Sequence, residues 1–531
     1  MERASRPAHV DAGVSHRPPP GVAGRRPTSI RADIVAGVSV ALVLIPQSIA
    51  YAQLAGMPPV TGLYAAAVPP LIAACCASSP YLQTGPTALT ALLTFAALSG
   101  SALPGSSRWV ASAAMLAIVV GVVRVAIGTL RAGAVMYLLS EPMLAGFARG
   151  AAVLIVAGQL PALLGAGGTT HGTVRDAWDA LATSGRWSPG AALAAAAAAA
   201  IVVVARRVHV LIPGILVAAG AAVIAVHSGV DAGRLVGDVP AGFPRLSIPT
   251  GGLSSLLLPG IVIALVGFSE SAAIARSFAV LERMPWNPSR DLVGQGLGNI
   301  AAGCVGAFPV GGSFTRSALN RMAGATSSRS GAVAALAVLA FLPLSGWVGD
   351  IPRSVLAAFI VLAASTLFRP REIVELWKLS RVQFGVAAAT FAATLFLAPH
   401  VERAVAIGFA VTIVVHLWRE TIVRTAVSSD GEVIEIKPSG VVWFANAQAV
   451  ADAVASAVGR HGGARVVRLR LEGFGRIDLT AALTLSRLAE DLRASGIEVD
   501  ISGVPAIAKP VFDRMVAHGA MRQPITTQET T

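Results

Sequence analysis

The stretch GAFPVGGSFTRSAL, residues 306–319, places an arginine soon after two glycines, between two strongly apolar regions. We predict that Gly311, Gly312 and Ser313 cap a short helix whose first turn contains Arg316. The stretch QTGPTALTALL, residues 83–93, predicts a similar helix start, with Gly85 at the N-cap and Pro86 in the first turn. The rest of the chain decides whether these two helices begin inside a membrane.

The composition is that of a protein with many membrane spans. Of the 531 residues, 54% are hydrophobic and only 13% are charged, whereas charged residues make up about a quarter of a soluble protein. Apolar runs long enough to cross about 30 Å of hydrocarbon as helices recur along the chain. They lie near residues 31–53, 60–77, 109–130, 141–165, 190–205, 209–227, 256–280, 328–346, 381–398 and 403–424, with shorter candidates at 85–99, 292–307, 313–323 and 351–368. We therefore predict a polytopic α-helical membrane protein of about fourteen spans.

Arginines fall in every second loop between these runs, beginning with the segment before the first run. The positive-inside rule therefore predicts an even number of spans with both termini in the cytoplasm, in a cell inner (plasma) membrane. Because the formal net charge of +13 is spread in this way, it does not indicate a nucleic-acid surface. Residues 1–28 and 521–531 are predicted to be disordered tails, and no apolar segment near the start resembles a cleaved signal peptide.

The sequence has no motif of an enzyme or of a cofactor site. The nine histidines form no HxxxH or HExxH pattern, and no GxxxxGK[ST] motif occurs. The three cysteines, Cys75, Cys76 and Cys304, lie in apolar segments, which favours simple packing over a disulfide framework or a metal site. We expect no catalytic residue, no metal and no cofactor.

The last hundred residues change to the pattern of a small α/β domain. The alternating segments EVIEIKP and VVWFAN predict two short strands joined at 438–440, and ARVVRLRLEGF predicts a third. Helical patterns follow at 446–460, at 479–495 and, after EVDISG, at 505–518. Strands alternating with helices predict a small sheet flanked by helices, on the cytoplasmic side of the membrane.

Polar residues interrupt the first apolar run. Pro46 is predicted to break this span, and Gln47, Ser48 and Tyr51 follow it. A proline alone indicates a kink, but an amide that faces lipid is costly, so Gln47 favours a polar cavity.

Glu270 lies within the apolar run ALVGFSESAAIARSFAVLER, residues 264–283. Ionisable residues inside a membrane are rare and mark functional sites by default, although a neighbouring helix can also satisfy such a side chain. Because burial favours the neutral form of a carboxyl group, Glu270 is predicted to take up a proton near neutral pH. We predict that it couples protons to transport.

The two internal helix starts together predict an anion site. Helix N-termini carry unpaired N–H groups and roughly half a positive charge, and Arg316 adds a full one. Secondary transporters bind substrates between such discontinuous helices from two inverted repeats. Here the two short helices are the third and the tenth of about fourteen predicted spans, so a repeat of seven spans fits.

These segments resemble the SulP family of anion permeases over about residues 29–520. The resemblance rests on DIVAGVSVALVLIPQSIAYAQLAGMPPVTGLYAA (33–66), TGPTALTALL (84–93), ESAAIARSFA (270–279), GQGLGNIAAGCVGAFPVGGSFTRSALNRMAGATS (294–327), and a C-terminal segment similar to a STAS domain. It implies a transporter domain at residues 29–425 and a STAS domain at 430–520. The transporter domain would have two inverted seven-span repeats, as in uracil permeases, and a core domain (spans one to four and eight to eleven) that moves against a gate domain in an elevator-like way. It also implies a homodimer in the lipid bilayer.

Carried over to this sequence, the resemblance places a bound inorganic or small organic anion between the starts of spans three and ten. The implied substrate-binding residues are Gln47, Tyr51, Thr87, Ala88, Ser313, Phe314, Thr315 and Arg316, with Glu270 beside them. Sodium-coupled bicarbonate carriers of the family have a hydroxyl one turn after the acidic residue. This sequence has Ile274 there, so protons are favoured over sodium, which needs oxygen ligands.

Three functions remain open from the sequence. The first is proton-coupled symport of sulfate or a related oxyanion or dicarboxylate, with bicarbonate as an alternative substrate. The second is an uncoupled anion exchanger or channel, for which a titrating carboxyl group such as Glu270 would be unnecessary. The third is a scaffold that signals through the STAS domain. Leu479 stands where STAS domains related to anti-sigma antagonists carry a phosphorylated serine, which disfavours that third function and leaves Thr480 as a weak alternative.

Overall fold

The computed structural model describes residues 28–133, 139–166, 174–209, 211–249, 252–368, 370–422, 424–504, 509–510 and 513–514. The chain forms two compact units, Met1–Phe409 and Ala410–Thr531. The predicted disordered tails lie outside the described residues except for residue 28.

Sixteen helices precede the sheet of the second unit in the described part of the chain. They are α1 (Ile30–Leu54), α2 (Pro59–Cys76), α3 (Ala88–Leu98), α4 (Ser107–Thr129), α5 (Glu141–Leu163), α6 (Val174–Ala182), α7 (Pro189–Val208), α8 (Gly214–His227), α9 (Leu253–Leu281), α10 (Pro288–Cys304), α11 (Phe314–Met322), α12 (Arg329–Phe341), α13 (Arg353–Ser365), α14 (Pro370–Leu379), α15 (Arg381–Phe396) and α16 (Val401–Thr421). Side-chain oxygens cap many of their starts, as in Ser106 of α4, which accepts from the Trp109 N–H.

Eight helical segments among the described residues are long and apolar enough to cross a membrane: α1, α2, α4, α5, α7, α9, α12 with the 3-10 turns that follow it, and α16. Helices α3, α8, α13 and α15 are shorter but apolar. Helices α6 and α14 are short, with charged residues along one face, so they do not cross. Fourteen helices then remain before the sheet, which agrees with the predicted number of spans.

The first helix does not break where the sequence predicts. Helix α1 continues through Pro46 to Leu54, so the predicted interruption of this span is wrong. Proline removes one N–H and opposes the carbonyl of Leu42, and a helix supported on all sides by neighbours absorbs this as a local distortion. The residues that follow Pro46 are buried in helical geometry.

Two very short strands lie at the centre of the first unit. Strand β1 (Thr84–Gly85) pairs antiparallel with β2 (Gly311–Gly312), although more than two hundred residues separate them. The glycines that the sequence assigned to helix caps belong to these strands. The caps are Thr87 for α3 and Ser313 for α11.

The helices of the first unit pack in two groups. In one group, α10 packs on α4 and α2, α1 packs on α12, and α4 packs on α9. In the other, α5 packs on α13 and α15, and α7 packs on α8 and α13. These groups correspond to the expected core and gate domains.

The second unit contains the end of α16 and an α/β domain. Strands β3 (Arg424–Asp430), β4 (Val433–Val442), β5 (Val466–Arg470) and β7 (Glu498–Ser502) pair in that order, and β6 (Phe474–Ile477) pairs with β4. Helices α17 (Ala447–Arg460) and α18 (Leu479–Ala494) pack together, and buried aliphatic side chains such as Ile434 and Leu485 form the core.

Two details of this domain differ from the sequence prediction. The two strands expected on either side of 438–440 are one continuous strand, β4, because the bulge between Gly440 and Val441 shifts the register without ending the pairing. Strands β3 and β6 were not predicted. Leu479 begins α18 and is exposed, with Asp478 as the N-cap. The helix predicted at 505–518 lies mostly outside the described residues.

Candidate functional site

Two helix N-termini face each other at the β1–β2 pair. Thr87 caps α3 by accepting from the Thr90 N–H, and Thr90 closes a capping box in return. Ser313 caps α11 and its own N–H donates to the Gln83 carbonyl at 3.0 Å. Because the strands are antiparallel, α3 and α11 leave the pair at its opposite ends, and the positive ends of both dipoles lie close to the pair.

Neighbouring side chains hold this pair in register. The Ser317 hydroxyl accepts from the Gln83 N–H at 2.9 Å, and the Ser271 hydroxyl accepts from the Gly312 N–H at 2.8 Å. The first bond ties α11 to β1, and the second ties α9 to β2. The backbone of both strands is thus fixed by helices as well as by its partner strand.

Arg316 lies in the first turn of α11 and is 1% exposed. Its three guanidinium nitrogens are buried, and none has a hydrogen-bond partner among the described residues. A Cβ atom on Gly85 would stand 3.3 Å from Nη2, and the φ angle of Gly85 is +152°. Glycine is therefore required at position 85, and it lets the guanidinium lie against the backbone of β1.

The other predicted residues surround this arginine. Tyr51, Glu270 and Arg316 are near enough to act on one another electrostatically. Gln47 lies one turn before Tyr51 on α1 and is buried, and its side-chain oxygen has no hydrogen-bond partner among the described residues. Glu270 is half-buried on α9.

All nine predicted site residues lie on or directly before four helices that pack on one another: α1, α3, α9 and α11. Thr87 and Ala88 are buried at the start of α3, and Thr315 is half-buried. Phe314 is 49% exposed and stacks on Phe278, with the ring centroids 6.2 Å apart, so it lies at the edge of the group. The arrangement brings the backbone N–H groups of two helix starts close to one guanidinium, with a carboxyl group nearby, and such donors are of the kind that anions bind.

The sequence prediction missed one buried ion beside this group, Arg124 of α4, which is fully buried. An arginine within the apolar run 109–130 was the available signal, because ionisable residues at membrane depth are uncommon. Within the described residues, no cluster of three or more His, Cys, Asp or Glu side chains has the arrangement of a metal site.

Comparisons with known proteins identify related sequences and structures. The family model described as the sulfate permease family matches residues 30–390, and the STAS domain model matches residues 425–526. The protein named Probable sulfate transporter 4.2 of Arabidopsis thaliana is 29% identical over 512 residues, covering 88% of this chain and 75% of the relative. A protein named as a probable sulfate transporter of Mycobacterium tuberculosis is 34% identical over 377 residues, covering 69% of this chain and 67% of the relative.

Solved structures show the same fold. The chain is similar to the structure of SLC26A9 with a TM-score of 0.84 and 18% sequence identity, covering 93% of this chain and 88% of that one. The similarity includes both the helical membrane part and the C-terminal domain, because almost the whole of each chain is matched.

Proposed function

Because the chain belongs to the sulfate permease family, we propose that it couples the movement of sulfate, or of a related oxyanion or dicarboxylate, to protons. Members of this family are membrane transporters, so the chain is an anion transporter and not an enzyme.

The buried guanidinium of Arg316 is the observation that supports the substrate site. A buried charge without hydrogen-bond partners is costly, so a ligand with acceptor oxygens is needed to offset that cost. The start of α3 and the start of α11 add N–H donors at the same place. A tetrahedral oxyanion has enough acceptor oxygens to meet the guanidinium and both helix starts together.

Glu270 supplies the coupling in this proposal. An ionised Glu270 competes with the anion for interaction with the positive charge of Arg316. A protonated Glu270 is neutral, so the charge of Arg316 is then available to the anion. Proton binding and anion binding therefore favour each other, and this effect is reciprocal. The pair would cross together when the core group of helices moves against the gate group, in an elevator-like motion.

The relatives named as sulfate transporters favour sulfate as the first substrate to test. We propose further that both termini lie in the cytoplasm, as the alternation of basic loops indicates, in a cell inner membrane. The homodimer is proposed from the resemblance to the SulP family alone.

The test is uptake of radiolabelled sulfate into proteoliposomes under an inward proton gradient, an inward sodium gradient, or no gradient. We expect accumulation with the proton gradient alone, reduced by selenate and not by fumarate. Glu270→Gln should let sulfate equilibrate without accumulating. Glu282→Gln is the matched control, because Glu282 follows the same helix and pairs with Arg321 away from the site.

Three results would contradict the proposal. Accumulation by Glu270→Gln under a proton gradient would remove the coupling role from this residue. Absence of sulfate uptake under every gradient would move the substrate to bicarbonate or a dicarboxylate, and uptake independent of any gradient would favour an uncoupled exchanger or channel.

A further inference from the structure

Arg124 makes an unusual set of contacts within the membrane part. Its Nε donates to the Ala264 carbonyl at 3.2 Å and its Nη2 to the Ile263 carbonyl at 3.4 Å, both on α9. Its Nη1 donates to the Val310 carbonyl at 2.9 Å and to the Gln295 side chain at 3.3 Å. In the described part of the chain no carboxylate forms an ion pair with it, so backbone and amide oxygens alone satisfy this buried charge.

Val310 is the residue directly before β2. Asn299 of α10 holds it from a second side, since its side-chain oxygen accepts from the Val310 N–H at 2.9 Å and its nitrogen donates to the Val310 carbonyl at 3.1 Å. Arg124 of α4 and Asn299 of α10 thus satisfy the backbone carbonyl and N–H of Val310, as a neighbouring strand would in a sheet. Arg124 differs from Asn299 because it also reaches α9.

The link to α9 matters because α9 carries Glu270. Arg124 fastens Ile263 and Ala264 to the start of β2, and Ser271 fastens the next turns of α9 to Gly312 at the end of β2. Glu270 lies between these two attachments, and Arg316 follows β2 by one helical turn. The hydrogen bonds of Arg124 and of Ser271 together therefore fix the position of the Glu270 carboxyl group relative to the Arg316 guanidinium.

We propose that Arg124 is a positioning residue for transport: by joining α9 to Val310, it sets the separation of Glu270 from Arg316 and hence the coupling between proton and anion. It acts through the backbone and does not touch the anion. This inference rests on the proposed function in that both use Glu270 and Arg316.

The directions of these hydrogen bonds require an arginine at position 124. Its planar group carries five N–H donors in a fixed fork, whereas a lysine ammonium is a single point charge on a flexible stem. Only the fork can meet the carbonyls of α9 and of Val310 at once. Gly267 makes room for it, because a Cβ atom there would stand 2.6 Å from Nη2.

Two titratable side chains of other helices lie near Glu270 and are unchanged by substitution of Arg124. The Arg316 guanidinium of α11 acts directly on the charge of Glu270, and the neutral Tyr51 phenol of α1 lies near both groups and is itself influenced by Arg206 of α7. A change in pH dependence on replacing Arg124 therefore reports a change in the geometry of this group.

The test compares Arg124→Lys, Arg124→Gln and Gly267→Ala with the wild type in proteoliposomes. We expect the KM for radiolabelled sulfate to rise about tenfold in all three, and the pH dependence of uptake to shift, while the maximal rate per folded transporter changes less. Arg124→Lys should not restore the wild-type KM, because an ammonium group lacks the planar set of donors that joins the backbone of α9 to that of Val310.

Asp33→Asn is the matched structural control. Asp33 is also a buried ion of the core group and accepts four hydrogen bonds from Thr326 and Ser327, on a loop away from the site. Its replacement should lower the melting temperature and leave KM and the pH profile as in the wild type.

The proposal fails if the Arg124 variants behave like Asp33→Asn, with a lower melting temperature but unchanged KM and pH profile. If the Arg124 variants do not fold, Gly267→Ala decides the question, since it keeps the arginine and displaces the guanidinium. Wild-type KM and pH profile in a folded Gly267→Ala would equally overturn the role.

A binding measurement tests the positioning role of Arg124 independently of which anion is the substrate. Thermal stabilisation of the purified proteins by sulfate, bicarbonate, fumarate and chloride gives an apparent Kd for each anion. If the wild type takes up no sulfate but is stabilised by another of these anions, the proposed substrate is wrong. Weaker binding of that anion by Arg124→Lys would still support the positioning role, and equal binding would overturn it.

Discussion

Two fully buried arginines lie close to the centre of the core group, and their surroundings differ. Arg124 is satisfied by the oxygens of two other helices, α9 and α10, and of Val310, whereas the three nitrogens of Arg316 have no hydrogen-bond partner among the described residues. Arg124 already has partners for its donors, and its hydrogen bonds join the backbone of α9 to that of Val310. Arg316 is suited to a ligand, because its donors are free and helix N-termini surround it.

Arg316→Ala should reduce the apparent affinity for sulfate by about tenfold to a hundredfold, since a hydrogen bond to a charged group contributes about 1.5–3 kcal/mol. The melting temperature without sulfate should stay the same or rise, because the substitution removes a buried charge that lacks partners. Uptake kinetics and thermal shift with sulfate measure both effects.

Arg321→Gln is the control for this prediction. Arg321 lies on the same helix, is partly exposed and pairs with Glu282 at 2.6 Å. Loss of this pair should leave sulfate affinity unchanged, because a surface ion pair contributes little and lies away from the site. Wild-type affinity in Arg316→Ala would remove this residue from the anion site.

At the scale of elements, the β1–β2 pair determines where α3 and α11 begin. The pair is only two residues long on each side, so its stability depends on close contact with α9 and α11. The two glycines of β2 differ in the space available for a side chain. A Cβ atom on Gly312 would stand 2.7 Å from the Ser271 hydroxyl, whereas one on Gly311 would meet no atom closer than 3.4 Å.

Gly312→Ala should therefore destabilise the protein by about 1–3 kcal/mol, the usual cost of forcing an extra carbon into a packed interior. Gly311→Ala should be tolerated and serves as the matched control. Thermal unfolding of the two purified variants makes the comparison. Equal melting temperatures would mean that Ser271 does not hold β2 in the way described.

At the scale of the whole molecule, the chain passes from one helix group to the other at three connections. The first is the α4–α5 connection, and the other two are the α8–α9 and α12–α13 connections. These two connections lie side by side: the Val236 N–H donates to the Ile351 carbonyl at 3.0 Å, and the Gly237 N–H to the Gly349 carbonyl at 3.1 Å. Relative movement of the groups would have to be absorbed at this paired segment and at the α4–α5 connection.

The alternation of basic loops predicts which side of the membrane each connection faces. Ser101, in the α3–α4 connection without basic residues, is expected outside, and Pro285, between Arg283 and Arg290, is expected inside. Both positions are exposed. In a background lacking Cys75, Cys76 and Cys304, a membrane-impermeant maleimide should label Ser101→Cys in intact cells and Pro285→Cys only after permeabilisation. The reverse pattern would invert the proposed topology.

Much of the fold could be predicted from the sequence because the relevant signals are local. Apolar length gives the spans, and the shift after Arg424 to alternating strands and helices gives the α/β domain. Gly85, Gly311 and Gly312 marked the two interrupted spans even though they are strand residues and not caps. Glu270 and Arg316 stood out as ions at membrane depth.

The sequence by itself determined the class of the protein, the order of its helices and most of the residues around the candidate site. Only the tertiary structure decided that α1 continues through Pro46, that Thr84 pairs with Gly312, and that Arg124 joins α9 to Val310. The reason is that hydropathy and helix capping act between near neighbours in the chain, whereas these contacts join segments more than a hundred residues apart, or depend, as at Pro46, on the helices packed around a residue.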